Sequence, residues 1–211
     1  MISLSILFSG RGSNALSILN NIVFNKLNFK VKNIVCNKKD APGIKLIKEC
    51  GFIPKILDIN SYLDKTKYNI ELGRILNPAD NDLLLLCGYM SKLPNHIIKS
   101  YNGNVINIHP SLLPKYKGLS THKKVIFNKD KFHGCTTHYV TNNIDCGPII
   151  AQFRIPVESS DDEISIAKKL LPNEHKLYFN TLKFIEKGKL NLLGNEIFFD
   201  GKLLKEPIRF T

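Results

Sequence analysis

Asp82-Leu83-Leu84-Leu85-Leu86-Cys87 sets four leucines in a row between an acid and a thiol. A strand with one face in water alternates apolar and polar residues. An unbroken apolar run bounded by polar residues instead reads as a strand buried on both faces, the kind found inside parallel sheets covered by helices. Outward from this run the chain keeps the matching rhythm. Toward the N-terminus, strands are expected over 2–8, 32–36 and near 54–57, separated by helices over 13–26, 41–50 and 61–76. Toward the C-terminus, a short helix over 94–101 leads to a strand over 104–108. This alternation predicts an α/β chain on a doubly wound, mostly parallel, Rossmann-like sheet.

The second half changes character. After a helix near 121–128, the β-rich runs 134–141 and 149–157 are joined by Asn142-Asn143-Ile144-Asp145-Cys146-Gly147-Pro148. So short a connection predicts an antiparallel pair at one edge of the sheet. A helix is expected over 161–188, with Pro172 kinking or interrupting it. The tail 190–204 carries Asp200-Gly201 between apolar runs, a hairpin signal. No linker, repeat or low-complexity segment interrupts the chain, so 1–211 reads as a single domain.

Composition excludes several classes. Hydrophobic content of 43% over 211 residues is ample for a buried core. No apolar run approaches the ~18–20 residues of a membrane span. The N-terminus lacks a basic lead and a cleavage site, and reads as a first strand rather than a signal peptide. Cys36, Cys50, Cys87, Cys135 and Cys146 are odd in number and form no Cys-x-x-Cys pair, which fits reduced thiols in a cytoplasmic protein. The net charge of +12 raises the question of nucleic acid. Yet the lysines are spread in blocks no longer than two, without the aromatic interleaving that stacks bases. The field suits anionic small molecules better.

Chemistry concentrates in Asn107-Ile108-His109-Pro110. Residues two apart on a strand point the same way, so an amide and an imidazole emerge together at a strand end, where α/β proteins place their sites. Both can meet negative charge developing on a carbonyl oxygen. A histidine satisfied by a backbone partner is the competing reading. A second feature is Ser9-Gly10-Arg11-Gly12-Ser13-Asn14, where a strand turns through glycines into a helix N-terminus. That arrangement suits phosphate. Gly10, Gly12 and Ala15 also fit G-x-G-x-x-A, but a dinucleotide site expects an acid after the second strand, and Cys36-Asn37 stands there. A plain tight turn is the alternative. Asp145 is a turn residue that could hold an imidazole in its charged form. His133, Cys135 and His138 were weighed as metal ligands, but the two histidines have opposite strand parity, so no metal is expected.

Together, Ser9-Gly10-Arg11-Gly12-Ser13-Asn14, Asn107-Ile108-His109-Pro110-Ser111-Leu112-Leu113-Pro114 and 133–148 resemble the phosphoribosylglycinamide formyltransferases, folate-dependent enzymes of purine synthesis. The resemblance spans essentially the whole chain. It implies formyl transfer from 10-formyltetrahydrofolate to the amine of a glycinamide ribotide, with no metal. The catalytic trio would be Asn107, His109 and Asp145. Arg11, Gly12, Ser13 and Asn14 would hold the ribotide phosphate, and Glu174 its sugar. Folate would meet Lys65, Met90, Ser91, Lys92, Leu93, Asn107, Val140, Asn142, Asn143 and Asp145. By the same likeness 1–100 is the phosphate-binding half and 101–211 the catalytic, folate-binding half.

Some positions depart from the pattern of the relatives. Ser91 stands where they often carry Arg, and Lys65 where some carry Arg, a better bidentate partner for carboxylate. Ser120 replaces a histidine, and Leu171-Pro172 precede Asn173-Glu174 where polar residues are common. Methionyl-tRNA formyltransferases share the trio but add a C-terminal domain, and formyltetrahydrofolate hydrolases add an N-terminal one; neither addition is expected here. The expected protein is a cytoplasmic monomer or weak homodimer with small-molecule substrates and no membrane or nucleic-acid partner.

Overall fold

All four leucines of the opening run are buried, in a strand of the same extent, Leu83–Leu86. The structure is a computed structural model that describes residues 1–79 and 82–211. Its chain forms two compact units, Met1–Ile106 and Asn107–Thr211.

In the first unit, β1 (Ser3–Phe8), β2 (Lys30–Cys36), β3 (Lys55–Ile56) and β4 (Leu83–Leu86) lie in the order β3-β2-β1-β4, every pair parallel. Three helices connect them, α1 (Ser13–Val23), α2 (Gly43–Glu49) and α3 (Lys65–Leu76), and α4 (Asn95–Ser100) follows β4. Leu4, Ile6, Leu7 and Phe8 of β1 are fully buried. Complete burial of β1 and β4 means that both sheet faces are covered, as parallel sheets require. The start of α3 is held by Asp64, whose carboxylate accepts the Thr66 N–H at 2.7 Å. Strand β5 (Val105–His109) begins in this unit, where the neighbouring Asn104 carbonyl accepts the Leu84 N–H at 3.0 Å, and its last residues belong to the second.

The second unit continues with α5 (Thr121–Phe127), β6 (Phe132–Tyr139), β7 (Ile149–Pro156) and α6 (Glu163–Glu186). Strands β6 and β7 are antiparallel, and their register shifts between Thr137 and His138. A residue inserted into one strand in this way re-aims the side chains beside it. Helix α6 starts at a capping box in which Asp162 and Ser165 each satisfy the other's backbone N–H. It buries Ile166, Leu170, Leu177, Tyr178 and Leu182, and the Thr181 hydroxyl bonds that of Thr137 at 2.9 Å. Then come β8 (Leu190–Leu193), β9 (Glu196–Phe199) and β10 (Lys202–Leu203), a small antiparallel sheet. Finally β11 (Ile208–Phe210) pairs in parallel with the outer side of β7.

The α/β class, the mostly parallel sheet, the antiparallel pair and the C-terminal hairpin match the expectation. Asp200 and Gly201 turn the hairpin at φ 50° and 76°, the left-handed pair that a two-residue turn needs. Other features differ. Pro172 lies inside α6 without interrupting it. Both Pro172 and Lys168, whose carbonyl loses its helical donor, are exposed, so water can serve that carbonyl. The antiparallel pair is not outermost, because β11 lies beyond it. Among the described residues no helix is long and apolar enough to cross a membrane.

Gly134 shows how tightly β6 and β7 fit. A Cβ there would collide with the Phe153 carbonyl oxygen across the strand pair and with the Leu112 side chain. Gly134→Ala is expected to cost about 3 kcal/mol or more, because a backbone carbonyl cannot yield as a side chain can. A urea midpoint that stays within error of the parent would show that the pair is looser than this.

Candidate active site

Strand β5 ends on Asn107, half-buried, and His109, 6% exposed. The chain then loops through 110–120, pinned from several sides. The Thr136 hydroxyl donates to the Ser111 carbonyl at 2.6 Å, the Gln152 amide to the Leu113 carbonyl at 2.7 Å, and the Tyr116 hydroxyl to Asp130 at 2.8 Å. These bonds bring the Tyr116 carbonyl to 2.8 Å from His109 Nε2. A carbonyl only accepts, so Nε2 carries a proton. On the other side of the ring, Nδ1 stands 3.3 Å from Asp145 Oδ2.

Asp145 reaches that point from the β6–β7 connection with φ 49°, a left-handed conformation that Asp tolerates better than most residues. Oδ2 also accepts the Gly118 N–H at 2.8 Å. Gly147, two residues on, has no room for a side chain, because a Cβ would collide with the Tyr139 carbonyl oxygen. Asn107, His109 and Asp145 thus lie close together within the second unit.

His138, not expected as a site residue, sits between its members. Its Nε2 is 3.2 Å from Asn107 Nδ2 and 3.6 Å from Asp145 Oδ1, and its Nδ1 is 2.8 Å from the Tyr139 carbonyl oxygen. Strand parity separates this ring from His133, and the two do have different partners, but parity does not tell which face carries the site.

The electrostatics qualify the expectation for His109. Burial pushes its pKa down; the bond to Tyr116 and the Asp145 charge act upward without overcoming it, so it lies below the ordinary 6.5. Burial works to raise Asp145, but the neighbouring imidazoles and the Gly118 N–H prevail, and its carboxyl lies below the ordinary value. The resting site thus pairs an ionised carboxylate with an imidazole that resists protonation.

The second histidine once weighed for metal binding has another partner. His133 Nε2 and His122 Nδ1 are 2.9 Å apart with the rings edge to face. Burial first, then His122, pushes His133 down to about 4, and it is 1% exposed. The unfolded chain binds a proton at this histidine below about 6.5, whereas the folded chain does so only near 4. Stability is therefore expected to fall as pH drops through that window, by on the order of 3 kcal/mol from this residue, and to be independent of it above. Melting temperatures between pH 7.5 and 4.5 should fall less steeply for His133→Gln than for the parent. Equal slopes would refute the assignment.

In the first unit the glycine loop turns into the N-terminus of α1. Gly12 adopts φ 66° as the N-cap of α1, whose first turn holds no acidic residue to quench the helix dipole. The Gly43 N–H bonds the Gly10 carbonyl at 3.1 Å, and a Cβ at Gly43 would press within 2.8 Å of the Gly10 and Arg11 carbonyl oxygens. The loop is thus held rigidly from behind by α2. Arg11 is exposed, Ser13 half-buried and Asn14 buried.

Ser9 ties this loop to the segment 89–93, its hydroxyl accepting the Met90 N–H at 2.7 Å. Ser91 accepts the Asn37 amide at 3.0 Å, Met90 and Lys92 are exposed, and Leu93 is buried. Lys65 opens α3, where a cation gains nothing from the helix dipole, and no carboxylate of the described residues pairs with it. In the second unit Val140 and Glu174 are half-buried, and Asn142 and Asn143 are exposed on the turn that carries Asp145.

Comparison with known proteins gives concordant matches. A family model described as Formyl transferase matches residues 3–182. The phosphoribosylglycinamide formyltransferase of Escherichia coli (strain K12) is 34% identical over 199 residues, 94% of this chain and 94% of the relative. That of Haemophilus influenzae is 30% identical over 204 residues, covering 97% of this chain and 96% of the relative. Among solved structures, the phosphoribosylglycinamide formyltransferase of Coxiella burnetii superposes with a TM-score of 0.91 at 31% identity, over 100% of this chain and 99% of that one.

Proposed function

The chain belongs to the formyl transferase family, and from that premise we propose that it moves a formyl group from 10-formyltetrahydrofolate to the amine of N1-(5-phospho-D-ribosyl)glycinamide in de novo purine (IMP) synthesis. The observation that carries the proposal is the junction of Asn107, His109 and Asp145, an amide donor and an imidazole donor beside a carboxylate.

The uncharged amine attacks the formyl carbon, and the carbonyl oxygen takes up negative charge. Asn107 and His109 give it N–H bonds, the latter by moving the Nε2 proton from the Tyr116 carbonyl to the substrate oxygen. Such a donor is worth about 10²–10³ in rate. Negative charge arriving beside the ring offsets what burial imposes, so His109 can take a solvent proton on Nδ1, facing Asp145, as the intermediate forms and return it to solvent on collapse. Collapse breaks the bond to the folate nitrogen. The proton lost by the amine ends on that nitrogen, assisted by Asp145 through water. No covalent enzyme intermediate or metal is invoked.

The remaining roles follow the same reading. Arg11, Gly12, Ser13 and Asn14 receive the ribotide phosphate and Glu174 its sugar hydroxyls. Lys65, Met90, Ser91, Lys92, Leu93, Val140, Asn142 and Asn143 contact folate, Lys65 at the glutamate tail. The protein works in the cytoplasm as a monomer or weak homodimer, without a nucleic-acid partner.

The test is spectrophotometric: a 10-formyl folate with the ribotide, beside an amine-free blank. Folate release that requires the ribotide supports the transferase. Equal release in the blank makes the protein a hydrolase. No release, with the folate still bound, moves the acceptor to another amine.

A further inference from the structure

We infer that His138 is a positioning residue that fixes which way the Asn107 amide faces. The Tyr139 carbonyl oxygen lies 2.8 Å from His138 Nδ1. A carbonyl oxygen cannot donate, so Nδ1 holds the proton. In a neutral ring Nε2 is then an acceptor, and the group within bonding distance of it is Asn107 Nδ2 at 3.2 Å. Asp145 Oδ1, at 3.6 Å from the same nitrogen, stands outside that range. Direction therefore passes in one sense only, from backbone carbonyl to Nδ1–H, from Nε2 to the amide N–H. A backbone carbonyl cannot exchange its role, so nothing in this chain of bonds can reverse.

An asparagine amide is nearly symmetric in shape and opposite in function at its two ends. Left alone it would present its oxygen and its nitrogen to a ligand with little preference, and an oxygen turned toward a developing oxyanion would repel it. With one N–H held by His138, the second N–H and the carbonyl oxygen have fixed places. The ring itself is fixed as well: it is 2% exposed, and its anchor Tyr139 is bonded through its own N–H to the Pro148 carbonyl at 2.9 Å.

This inference rests on the formyl-transfer reading for its kinetic consequence but not for its geometry, and the two are tested apart. Long-range ¹H–¹⁵N spectra of the histidine rings, taken on the free protein near neutral pH, should show His138 protonated on Nδ1 alone. The Nε2 resonance should move in Asn107→Leu. A ring protonated on Nε2, or on both nitrogens and paired to Asp145, overturns the proposal whatever the substrate proves to be.

Kinetics give the second arm. His138→Phe keeps a ring but no acceptor, and is expected to lower kcat by about 30-fold with both KM values changed less than about threefold. His138→Gln puts an amide oxygen where Nε2 stood and should recover most of that loss. A side chain needed only for packing would give the reverse ranking, Phe above Gln, and so refute positioning. In an Asn107→Leu background His138→Phe should have almost no further effect, whereas additive losses would show that the two act separately. If no variant and no parent turns over the ribotide while the spectra are as expected, the substrate assignment has failed and the positioning has not.

Discussion

Asp145→Asn is expected to lower kcat by about 10³-fold, at the upper part of what a positioned acid–base group contributes. The substitution is close to isosteric, and Asn accepts the left-handed backbone of φ 49° as readily as Asp. Its amide oxygen can still take the Gly118 N–H. What disappears is the charge 3.3 Å from His109 Nδ1. That charge acts upward on an imidazole that burial already pushes down. Without it the pKa of His109 falls further, and the limb of the rate profile that reports this ring moves to lower pH. The measurement is kcat against pH for parent and variant. A loss under about tenfold with an unmoved limb would leave Asp145 as a turn residue that happens to lie near a histidine.

His109→Asn is expected to cost about 10²–10³ in kcat while ribotide affinity, read by calorimetry, stays within about threefold. The ring is nearly enclosed and its Nε2 proton is the donor at stake. Asn is shorter and leaves a void, so thermal melting must accompany the kinetics; a variant that melts near the parent and yet has lost turnover isolates the chemistry from the packing. Comparable loss of ribotide affinity would place His109 in binding. Full activity would remove it from the mechanism altogether.

Much of this architecture is legible in the sequence because burial leaves a pattern. Leu83–Leu86 declares itself by refusing to alternate, and the spacing of Asn107 and His109 puts them on one side of β5 before any coordinate is known. Asp145 is harder to see. Nothing local distinguishes it from a solvated turn acid, so the residues alone offer it as an imidazole partner only as one of two readings, and the family resemblance is what singles it out. His138 escaped because parity placed it only opposite His133, which holds, and nothing local marks which face of β6 meets Asn107. Pro172 does not interrupt α6 because it is exposed, which local sequence does not report, since a proline ring on the wet side of a long helix costs less than one facing the core. Strand β11 is too short to carry a pattern at all; it exists because β7 offers it a ladder.

That last strand has a bearing on how the protein behaves in a tube. Ile208–Phe210 closes the outer edge of β7, with the Phe210 ring stacked 6.5 Å from Phe153. A paired segment of three residues opens at little cost. Each opening uncovers a row of unpaired amides ready to template a strand from another molecule. Turbidity that grows with concentration, and worsens when bulky fusions are attached after Thr211, is the signature such fraying would leave. Solubility during purification would then hinge on three residues that take no part in the reaction.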